Sequence, residues 1–280
     1  MTDYKQVADY LVEQTQIWFE RHAGFSNLYE ANAVIGISGG KDSSVVAAIL
    51  CKALSPKQVH GVLMPNGFQK DLKDSEAICN HLGIMYSRIN MCDAFSDLMD
   101  QLPEDAWENN QITTNMPARL RMTTLYAMAA IKNARVIGTG NYSEAMLGYT
   151  SIFGDSACDF NPIGSLYVDE VIAVGEALGL PEKFTRKPPS DGMCGKTDEE
   201  NLGFTYDQFR QWDIDYTELP DSVSDKISHR VNTARFKRKL LRGIPVIPLY
   251  RYGTGDNLGE IDLELTKREN SRKEAINSLY

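Results

Sequence analysis

Apolar positions along this chain recur at two spacings. Over residues 4–20, Val7, Leu11, Val12, Thr15, Trp18 and Phe19 fall near one stripe at helical spacing. That predicts an amphipathic helix packed on the core or on a subunit. From residue 33 short apolar runs alternate with helical stretches. Ala33-Val34-Ile35-Gly36-Ile37 reads as a strand and 43–54 as a helix. Val59 to Met64 reads as a second strand, ended by the turn Pro65-Asn66-Gly67. Asp71 to Leu82 predicts a helix stopped at Gly83, Ile84 to Ile89 a third strand, and Asp93 to Gln101 a helix. Asn115 to Asn133 predicts a long helix with Leu120, Leu125, Met128 and Ile131 among its inward positions. Val136-Ile137-Gly138 reads as a fourth strand. Strands regularly separated by helices imply an α/β fold, a doubly wound parallel sheet with helices on both faces. Ligands of such sheets sit at the carboxyl ends of the strands, near the switch in strand order.

After residue 180 the texture changes. Pro181, Pro188, Pro189, Gly192, Gly195 and Gly203 break the pattern, and 181–204 reads as a long functional loop. Helical segments follow near 206–218 and 220–240, then a polar tail at 264–276. The expected organisation is a single domain: an N-terminal helix (1–22), a nucleotide-binding core (30–180), a mobile lid (181–204), and a helical part with tail (205–280).

Size and composition fit that outline. The chain has 280 residues, 42% of them hydrophobic, and can bury a sizeable core. No apolar run approaches the roughly 20 residues of a membrane span, and the N-terminus lacks a signal-peptide core. A net charge of −9 argues against a nucleic-acid-binding surface. The cysteines Cys51, Cys79, Cys92, Cys158 and Cys194 include no C-x-x-C pair, which favours reduced thiols and a cytoplasmic location.

The chemistry concentrates in Gly36-Ile37-Ser38-Gly39-Gly40-Lys41-Asp42-Ser43-Ser44, a glycine turn between a strand and a helix. The first N–H groups of a helix are unpaired and lie at its positive end. Glycines let an anion approach that backbone, and hydroxyls and Lys41 add donors. This is a phosphate cradle containing an acid. A carboxylate beside phosphates becomes favourable when a hard cation joins them, so Asp42 points to Mg²⁺. The spacing does not fit G-x-x-x-x-G-K-[ST] or G-x-G-x-x-G. It resembles the S-G-G-x-D-S loop of the N-type ATP pyrophosphatases, which split ATP between its α and β phosphates.

Gly138-Thr139-Gly140-Asn141-Tyr142-Ser143-Glu144 follows the fourth strand and shares that rim. Glu144 reads either as a second magnesium ligand or as a capping-box acid with Asn141. Arg119 and Arg121, early in the long helix, sit badly with its dipole and suit an anionic ligand. The segment 148–163 is rich in glycine and hydroxyls and carries Asp155 and Asp159.

Taken in order, the phosphate loop, N-x-x-A-R-x-R, G-T-G-N-x-x-E, G-Y-x-x-x-x-G-D-x-x-x-D-x-N-P-I, K-x-P-S with T-D-E-E-x-L-G, and Phe236-Lys237-Arg238 resemble the ammonia-dependent NAD⁺ synthetases over about residues 5 to 245. The resemblance implies ATP-dependent amidation of deamido-NAD by ammonia, through an acyl-adenylate, giving NAD⁺, AMP and pyrophosphate. It implies ATP contacts at Gly36, Ile37, Ser38, Gly39, Gly40, Lys41, Asp42, Ser43, Thr139 and Ser190, with Mg²⁺ on Asp42 and Glu144. Arg119, Asp159, Phe236 and Lys237 are implied to meet deamido-NAD. Lys41 and Asp42 are expected to act in catalysis, with Asp155 orienting or deprotonating ammonia. A homodimer is also implied, as is free ammonia or a partner supplying it, since the synthetase pattern fills the chain and leaves no glutaminase domain. Ile152 and Val168 stand where many members have Lys, and Lys183, Arg186, Lys187 and Lys196 are the nearest substitutes in sequence. The competing readings are a related ATP pyrophosphatase with another acceptor and a non-catalytic nucleotide sensor of the same fold.

Overall fold

The computed structural model describes residues 2–69, 71–186, 198–215, 219–241 and 244–248. Its centre is a four-stranded sheet of β1 (Ala33–Gly36), β2 (Val59–Leu63), β3 (Met85–Arg88) and β4 (Arg135–Ile137). All strands are parallel, in the order β3-β2-β1-β4. β1 is therefore flanked by the strand that follows it and by the last strand. The order reverses between β1 and β4, where two neighbouring loops leave in opposite directions and open a crevice.

Strand alternation divides the core. Ala33, Ile35, Val59, Leu63 and Ile137 face one side, and Val34, Val62 and Val136 the other. The first side is covered by α1 (Tyr4–Arg21), α2 (Lys41–Ala53), α3 (Leu72–Leu82) and α7 (Val168–Ala177). The second side meets α5 (Asn110–Lys132), which lies beyond α4 (Cys92–Met99) in the chain. Both faces of the sheet are thus clothed, as its apolar runs require.

The α1 stripe proves to be core. Val7, Ala8, Leu11, Thr15 and Phe19 are buried, and the Trp18 ring stacks on Phe160 at 4.5 Å. The long helix begins five residues earlier than its pattern suggested. Asn109 caps it, accepting from the N–H of Gln111 at 2.9 Å, while Asn115 is internal and donates to the Gln111 carbonyl. Arg119 and Arg121 consequently lie at mid-helix, and the dipole argument for them loses its force.

α6 (Tyr142–Leu147) starts at the Asn141–Glu144 capping box that one reading of the sequence offered, whereas α7 was not read as a helix. The segment 181–204 is more than a loop: it starts with α8 (Glu182–Thr185) and ends with α9 (Asp198–Leu202). Ser190, Lys187, Lys196 and most of the expected lid lie outside the described residues, as does the 264–276 tail. α10 (Tyr206–Asp215) follows, and the stretch read as one helix at 220–240 is divided at Ala234 into α11 (Asp221–Thr233) and α12 (Arg235–Leu241). A satellite core joins α6, α10 and α11 through Leu147, Tyr167, Phe204, Phe209, Ile227 and Val231. Val168, at the start of α7, packs against it.

Candidate active site

The crevice is built by the turns after β1 and β4. In the first turn Gly39 takes φ +77°, and a Cβ there would lie 2.8 Å from the Ser75 backbone nitrogen. Its missing side chain therefore serves two ends: the left-handed bend and the close approach of α3's first turn. Gly40 caps α2 without any side-chain bond. The loop's hydroxyls hold its shape from inside: Ser44 Oγ donates to the Gly40 carbonyl at 2.8 Å, and Ser38 and Ser43 hydroxyls lie 3.1 Å apart. Ser38 Oγ accepts from the Gly40 N–H at 3.2 Å, while Gly40 offers the first N–H groups of α2 no side-chain cap, so the helix start keeps the character of an anion site.

Lys41 is buried, with its Nζ 2.9 Å from Asp42 Oδ2. Burial pulls the lysine pKa down, but Asp42 and then Glu144 push it up by more, so it stays charged. On the second turn Asn141 does two jobs. Its Nδ2 donates to Asp42 Oδ1 at 3.1 Å, and its Oδ1 accepts from the Glu144 N–H at 3.0 Å. One amide thus ties the acid of the first turn to the acid of the second. Glu144 Oε2 accepts from the Asn141 N–H at 3.0 Å, so the capping box is real. The two readings of Glu144 are compatible, since only part of its carboxylate is used. Burial, then the nearby Asp42 charge, raise the Glu144 pKa to about 8. Among the described residues no group of three or more His, Cys, Asp and Glu side chains could hold a metal alone. Mg²⁺ commonly takes one or two carboxylates completed by phosphate oxygens, and Asp42 and Glu144 are the two carboxylates that could offer such a pair here.

Pattern reading missed two neighbours. Asp198 at the start of α9 is buried and accepts from the Tyr206 hydroxyl at 3.3 Å. Burial raises the Tyr206 pKa, and Glu144, Asp198 and Asp42 all add to the shift. Asp198 also contributes to keeping Lys41 protonated. The end of the expected lid thus reaches the cradle. Its only sequence signal was the T-D-E-E string, read as lid.

The residues expected at the second substrate divide. Asp159 is tied to the sheet: its carboxylate accepts from the Val136 N–H at 2.8 Å and the Tyr126 hydroxyl at 3.2 Å. Arg121 donates to the Met64 carbonyl at 3.2 Å and supports the end of β2. Arg119 Nε donates to the Ile152 carbonyl at 3.2 Å, and Lys237 Nζ to the carbonyls of Gly148 and Thr150 at 2.8 and 2.6 Å. Both thus meet the loop that follows α6. Phe236 is 59% exposed and available for stacking. Asp155 Oδ1 accepts from the Ser151 N–H at 2.6 Å. Desolvation pushes its carboxyl pKa up, an effect blunted by the residue's exposed face. Thr139 sits beside the Asn141 turn, partly exposed. Arg186 is engaged elsewhere, with Glu176 at 2.7 Å, and Lys183 lies over the Phe184 ring, so neither replaces a cation here.

Comparison with known proteins converges on one group. The sequence model of the NAD synthase family matches residues 22–241. An NH(3)-dependent NAD(+) synthetase of Thermococcus sibiricus is 34% identical over 244 residues, 86% of this chain and 93% of that one. Among solved structures, NMN synthetase from Francisella tularensis superposes with a TM-score of 0.72 at 30% identity, covering 85% of this chain and 97% of that one. The NH3-dependent NAD synthetase of Campylobacter jejuni, solved with a nitrate ion, gives 0.69 at 29% identity, covering 85% and 96%.

Proposed function

Since the chain belongs to the NAD synthase family, we propose that it is the ligase that amidates deamido-NAD with ammonia at the expense of ATP. The observation that carries this reading is the Asp42–Asn141–Glu144 link across the β1–β4 crevice, next to an uncapped helix start.

A carboxylate is inert to ammonia because its oxygen leaves poorly. In the reading proposed here the nicotinate carboxylate oxygen attacks the α-phosphorus of ATP. The bond to the β-phosphate's bridging oxygen breaks, and pyrophosphate departs along the glycine turn. Ammonia then attacks the acyl carbon, AMP leaves with the C–O electron pair, and one proton is lost from nitrogen. The N–H groups at the start of α2 and the Lys41 ammonium hold the β and γ phosphates, as phosphoryl chemistry requires. Asp42 and Glu144 would hold Mg²⁺, which neutralises phosphate charge when bound. Ser38 and Ser43 keep the turn in shape, and Thr139 borders the nucleotide. Asp155 takes the proton from the amine in this reading. Arg119, Lys237 and Phe236 border the acceptor side. Water kept from the acyl-adenylate cannot compete with ammonia.

The protein acts as a homodimer in this reading. Support comes from α5, where only Pro117, Ala118 and Ala129 of 23 residues are buried and Ile131 is 74% exposed. The α1 stripe, the earlier candidate for a subunit contact, is occupied by the core. Cys51, Cys79, Cys92 and Cys158 are free thiols, in keeping with the reducing cytoplasm.

The test is incubation with ATP, Mg²⁺, deamido-NAD and ammonium, following NAD⁺ and AMP. Asp42→Ala should abolish both products while leaving the fold intact, with a lower melting temperature because buried Lys41 and Asn141 lose a partner. Product formation undiminished in that variant removes Asp42 from the reaction centre.

A further inference from the structure

The corner between α9 and α10 packs against α6, and one residue spans it. Tyr206, the first residue of α10, is buried, and it binds α9 through both its ends. Its backbone N–H donates to Glu199 Oε1 at 2.9 Å, and its hydroxyl donates to Asp198 Oδ2 at 3.3 Å. Tyr206 belongs to the satellite core together with Tyr142, Met146 and Leu147 of α6, the helix whose first turn carries Glu144. Asn201 of α9 donates to the Tyr149 hydroxyl at 3.4 Å, just beyond the other end of α6.

α10 is held in place without the Tyr206 hydroxyl. Thr205 and Gln208 cap it reciprocally: the Thr205 N–H donates to Gln208 Oε1 at 3.0 Å, and the Gln208 N–H to Thr205 Oγ1 at 3.1 Å. Phe209 is fully buried, Arg210 donates to Glu170 at 3.4 Å, and the Trp212 indole donates to Ser224 at 3.1 Å. The hydroxyl serves a carboxylate that has left water. Asp198 is 8% exposed, whereas Glu200 of the same helix is open to solvent. A buried carboxylate is costly unless it is hydrogen-bonded and set against a cation. That cation is Lys41, whose pKa burial lowers and Asp42, Glu144 and then Asp198 raise. Asp42 is bonded to Lys41 at 2.9 Å but belongs to the same turn. Asp198 approaches from a separate element, and so fixes a direction that the turn alone does not.

We propose that Tyr206 is a positioning residue for the amidation: its hydroxyl holds the Asp198 carboxylate on the cradle side of α9, and Asp198 in turn directs the Lys41 ammonium toward the departing pyrophosphate. This rests on the amidation described above. Charge on the pyrophosphate grows as the bond to it breaks, so a misdirected lysine costs more in the transition state than in the ground state. In this role Tyr206 touches neither substrate, and its effect falls on kcat.

Steady-state kinetics of NAD⁺ formation on wild type, Tyr206→Phe, Asp198→Asn and the double variant test it. Tyr206→Phe keeps the ring and the bond from the backbone N–H to Glu199. Its kcat should fall about tenfold, the loss of one hydrogen bond to a charged group, while KM for ATP and for deamido-NAD each move less than about twofold. In the Asp198→Asn background the same change should cost less than about twofold, since the hydroxyl acts through that carboxylate. An unchanged kcat overturns the proposal. So does a loss in the double variant equal to the product of the two single losses, which makes Tyr206 and Asp198 independent. A lower kcat accompanied by rises in both KM values shows a merely structural role and overturns it too. Should Asp198→Asn not fold, Asp198→Ser takes its place in the cycle with the same expectation. A wild type that forms no NAD⁺ refutes the amidation itself, whereas an active enzyme indifferent to Tyr206→Phe refutes only this proposal.

Discussion

Asn141 is the smallest unit on which the proposed ion site depends. It is fully buried, and its one amide serves both Asp42 and the cap of α6. Asn141→Ala removes a helix cap, costing about 1 kcal/mol. It also releases both acids, and partners of this kind commonly change metal affinity by at least about tenfold. The magnesium concentration for half-maximal activity should therefore rise about tenfold, read from a titration at saturating ATP. Glu144 gives a pH signature. Its pKa is about 8 in the fold, against an ordinary 4.5 when unfolded. The native protein therefore binds the extra proton between those values, and stability falls as pH rises through that window. Without metal the melting temperature should drop from pH 5 to pH 8, and Glu144→Gln should flatten that slope. Across the same window Mg²⁺ must displace the proton, so its binding should strengthen toward pH 8. A metal affinity independent of pH would separate Glu144 from the ion. Both acids were legible from their place in glycine turns after strands. The amide between them was not, because Asn141 looked only like a cap, and a contact spanning 99 residues leaves no local pattern.

Among elements, the first glycine turn shows how a motif's shape depends on a neighbour. Gly39→Ala places a side chain on a left-handed residue and drives it against Ser75, with backbone strain alone of about 1–3 kcal/mol. An unfolding free energy lowered by that amount, seen as a lower urea midpoint, with reduced ATP affinity, is the expected result. An unaltered midpoint would mean that α3 yields freely. Strand and helix order through β4 was readable because each apolar run had one period and clear turn residues. α6 showed only its cap, because six residues cannot display a 3.6 period. α7 escaped because Val171 and Val174 point into the core between α1 and α2, a face fixed by tertiary packing. The start of α5 was misplaced because its first turns carry few buried residues, and Asn115 resembled a cap.

At the scale of the molecule, helices cover both faces of the sheet, yet α5 leaves an apolar outer surface with Ile131 and part of Tyr126 exposed. Ile131→Glu should shift the mass measured by light scattering from dimer to monomer. A wild type that is already monomeric dismisses this surface as an interface. Charge patterning gave no warning of it, since the helix reads as ordinarily amphipathic. The loop after α6 was only partly visible: Arg119 and Lys237 were singled out, but Arg119 lies more than a hundred residues before Arg230 and Lys237, and they meet only because α5, α11 and α12 converge on one short turn.

α6 links the two halves of the site. Its first turn carries Glu144, and the carbonyls at its far end are clasped by Arg230, Lys237 and the buried Arg238, which reaches Met146 at 2.8 Å. Six residues at 1.5 Å each make a spacer of about 9 Å, too short to bend. Gly148, which ends it, lies so close to α11's end that an added Cβ would fall 2.4 Å from that of Ala234. The spacer is therefore pinned at head and foot. A group held at Glu144 and a group held at the loop beyond Gly148 would therefore stand at one set separation, as if against a gauge block.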